Sequence, residues 1–257
     1  MQPETAEATL PPPRIPPGLP WAPWTAWGPW TALLATVLIA VAGMVGANIL
    51  LKVGLVAPAD VRRGDSIGLQ ILMAWQVIVI LLTLLLALRG GRPVAALALA
   101  PPERGRAAYL GAMGLMLAFQ VTVTSLEYLF IPEAMLRDLK PFLEVARGPA
   151  WWIALIAVGI GAPLSEELLF RGFLLPALAR SRLGFAGAAL VSSALWTTLH
   201  VGYTVVGLLE VFAVGLLFSW LLWRTGSLRV TILCHAVYNS LIILGLRFAP
   251  LPAGFAG

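Results

Sequence analysis

Glu166, Glu167 and Arg171 fall within the otherwise apolar stretch APLSEELLFRGFL, and the chain's two histidines, His200 and His235, also lie in apolar runs. An ionisable residue inside such a run is a functional candidate by default, because burying it unpaired costs several kcal/mol. Together these residue types are what peptide-bond hydrolysis asks for. A carboxylate takes a proton from water, N–H donors steady the oxyanion, and an acid returns a proton to the leaving amine.

Spacing divides the work among them. Glu167 and Arg171 are four apart, hence neighbours on one helix face and placed to pair. That pairing leaves Glu166, about 100° around the helix, free for another task. His235 and Asn239 are also four apart, as are Trp196 and His200, so each couple points one way. Each element has a plainer reading. Glu167–Arg171 can be a structural pair, and a histidine or asparagine within a span can simply bond another helix. Cys234 and Ser165 read as packing or capping residues. Glu210 either bonds a neighbouring span or lines a water-filled cavity. Glu166, His200 and His235 could also hold a catalytic zinc with water in the fourth position.

The elements that must position these groups read as membrane helices. The chain has 257 residues, 60% hydrophobic and 11% charged, with a mean hydropathy of +0.90. A soluble domain is about a quarter charged, and several apolar runs here reach the roughly 20 residues that cross a bilayer. Period-2 alternation of a membrane barrel is absent. The expected fold is all-α: a polytopic transmembrane bundle with spans at 31–54, 66–88, 106–130, 149–178, 184–201, 205–223 and 228–247. Pro163 should kink or break the fourth, which would raise the count from seven to eight. Residues 132–148 place Met135, Leu136, Leu139, Phe142 and Leu143 at helical spacing among charges. They read as an interfacial amphipathic segment interrupted at Pro141. Gly43/Ala47 and Gly184/Ala188 are spaced to let helices pack closely.

Residues 1–30 form a Pro/Trp-rich N-terminal segment with no signal-peptide pattern, its first 20 residues read as disordered. Trp21, Trp24, Trp27 and Trp30 could align on one side of a polyproline II helix as an interfacial anchor. Residues 31–148 carry the first helices and the interfacial loop, 149–247 the chemistry, and 248–257 a tail. The net charge of +5 comes from basic residues at span ends, a positive-inside pattern rather than a nucleic-acid surface. Arg89, Arg92, Arg104, Arg106, Arg180, Arg182, Arg224 and Arg229 favour one side, which places the N-terminus in the cytoplasm. Arginine-rich, Ala/Gly/Pro-rich composition suits a GC-rich bacterial genome, and the expected location is the bacterial plasma membrane. One cysteine excludes an internal disulfide.

These residues carry a family resemblance. Glu166-Glu167 followed by Arg171 resembles the EExxxR motif of the CPBP intramembrane proteases, the family of the CAAX prenyl endopeptidases and the Abi proteins. Trp196–His200 stands where that family has FxxxH, with tryptophan for phenylalanine, and His235–Asn239 matches HxxxN. The resemblance covers about residues 150–245. It implies a CAAX-prenyl-endopeptidase-like core and a glutamic-type, metal-free mechanism in preference to zinc. Glu166 would be the base, His200 would position the water, and His235 and Asn239 would steady the oxyanion. Glu167, Arg171 and Trp196 would support the site. The substrate would be a membrane-anchored protein or peptide. Two other readings compete: a non-enzymatic scaffold or bacteriocin-immunity-type protein on the same fold, and a proton-coupled transporter, which the absence of internal repeats disfavours.

Overall fold

In lipid every backbone N–H and C=O must be satisfied within the segment, so long apolar runs fold as helices. The computed structural model describes residues 27–53, 66–89 and 93–250, and all its elements are helical. The longer ones, in chain order, are α1 Pro29–Lys52, α2 Ser66–Leu88, α3 Arg106–Phe130, α4 Pro132–Arg147, α5 Trp151–Ala179, α6 Gly184–Thr197, α7 Val205–Thr225 and α8 Leu228–Phe248. Among the described residues five of them, α2, α3, α5, α7 and α8, are long and apolar enough to cross a membrane. The chain is an integral membrane protein. The α6 segment is 14 residues long and ends in a tight 3-10 turn at Thr198–His200, so the span expected at 184–201 is a shorter helix followed by a turn.

Two sets of contacts define the ends of the bundle. At one end Leu228 N–H bonds the Ala98 carbonyl at 2.8 Å, Ser227 Oγ the Ala100 carbonyl at 2.6 Å, and Arg229 Nε the Leu99 carbonyl at 2.6 Å. Trp27 donates to the Leu86 carbonyl near that end, under the Arg89 guanidinium. At the other end Arg147 and Arg247 cross-link α4 to α8 through the Ala249 and Arg147 carbonyls.

Of the four tryptophans expected to align, Trp21 and Trp24 lie outside the described residues. Trp27 packs edge-on against Phe173, whereas Trp30 belongs to α1 and is exposed. Pro29 starts a helix there, and three-residue spacing no longer aligns rings at 3.6 residues per turn.

α4 runs unbroken through Pro141. That proline lies on the exposed face, where the carbonyl it leaves unpaired is not forced into the protein interior. Pro163 does not break α5 either. A π-helical segment, Ala157–Gly161, precedes it, and the backbone stays helical through Gly161, Ala162 and Glu166. Pro163 then falls in the first turn of the following α segment, and the Val158 carbonyl, five residues before it, accepts from the Asn239 side chain instead. Pro176 repeats the arrangement after a second π segment, Glu167–Leu174.

The glycines divide as well. A Cβ on Gly43 would collide with the Trp75 ring, as close helix packing predicts. Gly184 has open space around it and φ +59 instead, so it is needed for its left-handed backbone at the α5–α6 turn.

Candidate active site

The two π segments decide where the acids point. A π turn is wider than an α turn and shifts the helical register, and such bulges are frequent at functional sites. Ala162 N–H closes the first π turn on the Ala157 carbonyl. Side chains from other helices grip the same segment. Gln76 of α2 donates to the Ala157 carbonyl at 2.9 Å, and Asn239 of α8 to the Val158 carbonyl at 2.9 Å. Glycines 159 and 161 make room for these helices: a Cβ on the first would lie 2.5 Å from Ser240 Oγ, and on the second 2.1 Å from Gln76 Oε1. In the second π segment the Phe170 carbonyl accepts from both Leu175 N–H and Ser192 Oγ.

Held this way, α5 delivers its neighbouring glutamates to different partners. Glu167 is fully buried. Its Oε1 accepts from Arg171 Nη1 at 3.1 Å and from His235 Nδ1 at 3.1 Å. The expected Glu167–Arg171 pair is therefore present, and His235 joins it. The Arg171 guanidinium lies 4.2 Å from the Trp196 ring centroid and 5.7 Å from that of Phe218. Aromatic faces take up a cation whose solvent has been stripped away. Gly215 of α7 allows this stacking, since a Cβ there would sit 3.1 Å from Arg171 Nη2 and 2.9 Å from Ser193 Cβ.

Glu166 forms no ion pair among the described residues. It is 9% exposed, and its Oε2 accepts from the Trp196 indole N–H. Trp196 is the hub of the site. Its ring meets His200 edge-on at 5.2 Å and His235 at 5.5 Å, and Phe218 lies tilted over His235 at 4.9 Å.

Both histidines have a fixed orientation. His200 Nδ1 lies 3.3 Å from the Trp196 carbonyl, which only accepts, so Nδ1 carries the hydrogen and Nε2 keeps its lone pair. His235 Nδ1–H is committed in the same sense to Glu167, which leaves Nε2 for other partners. Tyr203 flanks His200 edge-on at 5.4 Å. Burial, with the charges of Glu166, Asp138 and Glu210 adding to it, pushes the Tyr203 phenol up from its ordinary value. Its hydroxyl therefore stays protonated and able to donate.

Glu166, Trp196, His200 and His235 are thus gathered from α5, the α6 turn and α8. Asn239, expected beside them as an oxyanion donor, has its amide turned to the Val158 carbonyl. Glu210 bonds Gln120 of α3 at 3.1 Å, the neighbouring-span reading. Cys234 is buried, and Ser165 donates to the Ala162 carbonyl. Sequence spacing missed Gln76, Gly215 and Phe218, because their roles depend on contacts between helices. Among the described residues no three His, Cys, Asp or Glu side chains are arranged to hold a metal ion. The two imidazole Nδ1 atoms and one Glu166 oxygen already have partners.

Residues 148–241 match the family described as Rce1-like, type II CAAX prenyl endopeptidase. An uncharacterized 24.3 kDa protein of Escherichia coli is 37% identical over 95 residues, 36% of this chain and 43% of that protein. The chain thus matches less than half the length of that relative. No solved structure matches.

Proposed function

We propose, from the match of residues 148–241 to the CAAX protease family, that this chain is an intramembrane endopeptidase of the glutamic type. The observation that carries the proposal is the single indole that touches all three reactive groups. Trp196 bonds Glu166 and lies against both His200 and His235, so a base and two imidazoles share one buried wall.

Each step follows from those groups. Glu166 Oε1 takes a proton from a water whose other hydrogen bonds His200 Nε2, and the resulting hydroxide attacks the scissile carbonyl carbon. His235, backed by Glu167, donates from a protonated Nε2 to the oxyanion. The proton held by Glu166 then passes to the leaving nitrogen as the C–N bond breaks. Glu167 and Arg171 keep His235 in place, and Asn239 acts by holding the π turn.

The substrate is a membrane-anchored protein or peptide that reaches the site from the bilayer or its cytoplasmic surface. In a bacterial plasma membrane, with the N-terminus cytoplasmic, fitting classes are C-terminal sorting tails, bacteriocin-like peptides and membrane-bound regulators. The test compares Glu166→Gln, His200→Ala and His235→Ala with wild type at equal protein level, scoring cleavage of a reporter with a short hydrophobic tail. Loss of cleavage in all three is expected. Normal cleavage by Glu166→Gln would end the glutamic reading, and a wild type that leaves the reporter intact would favour the scaffold alternative.

A further inference from the structure

His200 stands at the end of a turn, the least constrained kind of position for a group that must orient water. Downstream of it Val201 is 85% exposed, Gly202 has φ +126, and only at Thr204 does the chain reach the N-cap of α7. Something must hold this four-residue link. The contacts that do so come from α4, the amphipathic helix that lies before the family match begins at residue 148.

Asp138 of α4 grips Thr204 with both carboxylate oxygens. Oδ1 accepts the Thr204 N–H at 2.7 Å and Oδ2 accepts the Thr204 hydroxyl at 2.7 Å. The same hydroxyl oxygen accepts Gly207 N–H at 3.1 Å, so one chain of hydrogen bonds runs from α4 into the first turn of α7. Thr204 is 6% exposed, a setting where charge-assisted bonds are short and strong. Gly207 shows how close the approach is, since a Cβ there would fall 2.2 Å from Asp138 Oδ2. One turn along α4, Phe142 meets Tyr203 edge-on at 6.3 Å, and Tyr203 in turn flanks His200. The Tyr203 N–H also bonds the His200 carbonyl at 3.1 Å. A single helix therefore supports both the backbone and the side chain that follow His200.

We infer that Asp138 is a positioning residue for His200, and that α4 is part of the catalytic unit and not only a surface element. The inference rests on the endopeptidase reading for its effect on rate, but the grip on residues 201–204 and the first turn of α7 stands independently. Its requirement is geometric. Asparagine at 138 keeps an oxygen for the Thr204 N–H, and its amide N–H can donate to the Thr204 hydroxyl, which has a second lone pair. Alanine keeps neither bond.

The test uses the full chain in phosphatidylethanolamine–phosphatidylglycerol proteoliposomes, with the membrane-anchored reporter described above. Asp138→Ala should lower kcat at least tenfold with KM within twofold, and should speed amide exchange across residues 201–207 at least tenfold. Asp138→Asn should restore both to within about threefold of wild type. Thr204→Val should resemble the alanine variant and Thr204→Ser the wild type, a pair that decides the matter if Asp138→Ala fails to fold. Unchanged exchange at 201–207 in Asp138→Ala, or an asparagine variant as impaired as alanine, would overturn the inference. If the wild type leaves the reporter intact, the endopeptidase reading falls, while the exchange measurement still decides whether Asp138 holds the link.

Discussion

The Trp196 indole N–H donates to Glu166 Oε2, a bond that phenylalanine, the residue expected at this position from the family motif, has no atom to make. It fixes one carboxylate oxygen and leaves Oε1 for water. Trp196→Phe retains an aromatic surface for Arg171 but removes the donor. A hydrogen bond to a charged group contributes about 1.5–3 kcal/mol, so kcat should fall about 10- to 100-fold while KM stays within twofold. Steady-state cleavage kinetics check this. An unchanged kcat would mean that the ring alone suffices.

Glu167 and Arg171 are both fully buried, so they can be separated only at a cost. Removing one partner of a buried pair destabilises by about 3–5 kcal/mol, because the other charge stays uncompensated. Glu167→Ala should therefore lower the unfolding midpoint in detergent steeply and release His235 as well. The double variant Glu167→Gln with Arg171→Met removes both charges at similar volume and should recover most of that stability without recovering cleavage. Thermal scans of purified protein read the first effect, and the reporter assay reads the second.

Much of this was legible in the chain itself, for reasons that differ between residues. Helices α2, α3, α5, α7 and α8 announce themselves because lipid imposes length and apolarity on any span. The Glu167–Arg171 pair follows from its four-residue spacing. What lies between helices did not show. Pro163 looked like a break because a proline in an ordinary α-helix interior removes a hydrogen bond. The preceding π segment moves it to a first-turn position, and nothing in AVGIG marks a π turn by propensity. Asn239 pairs with His235 by spacing, yet its amide bonds Val158, a partner 81 residues away. The Thr204 cap on Gly207 N–H, and its dependence on Asp138, appear only once α4 is packed in place.

The π segment at Ala157–Gly161 should be sensitive to the side chains that grip it. Gln76→Leu and Asn239→Leu each remove a donor from a buried carbonyl while nearly preserving volume. Leaving such a group unsatisfied costs about 1–3 kcal/mol. Because the Ala157 carbonyl keeps its bond from Ala162 N–H, Gln76→Leu should fall at the low end of that range. Asn239→Leu strips the Val158 carbonyl of its side-chain donor and should cost more. Both should lower kcat in step with lost stability. An Asn239→Leu variant of wild-type stability with no cleavage would instead restore the oxyanion role expected from the family motif.

Metal dependence supplies the remaining discrimination between the two chemistries open to Glu166, His200 and His235. A catalytic zinc needs three protein donors converging with an open fourth position. Here His200 Nδ1 faces the Trp196 carbonyl, His235 Nδ1 faces Glu167, and Glu166 Oε2 faces the indole. Nε2 of both imidazoles and Glu166 Oε1 are left over, but among the described residues no three such side chains are arranged to hold a metal ion. Cleavage of the membrane-anchored reporter should therefore survive prolonged treatment with 1,10-phenanthroline, with kcat within twofold of the untreated enzyme. Elemental analysis of the purified, active protein should find zinc far below one atom per chain. Stoichiometric zinc together with chelator-sensitive activity restored by added metal would replace the glutamic mechanism with a metal-bound water at the same residues.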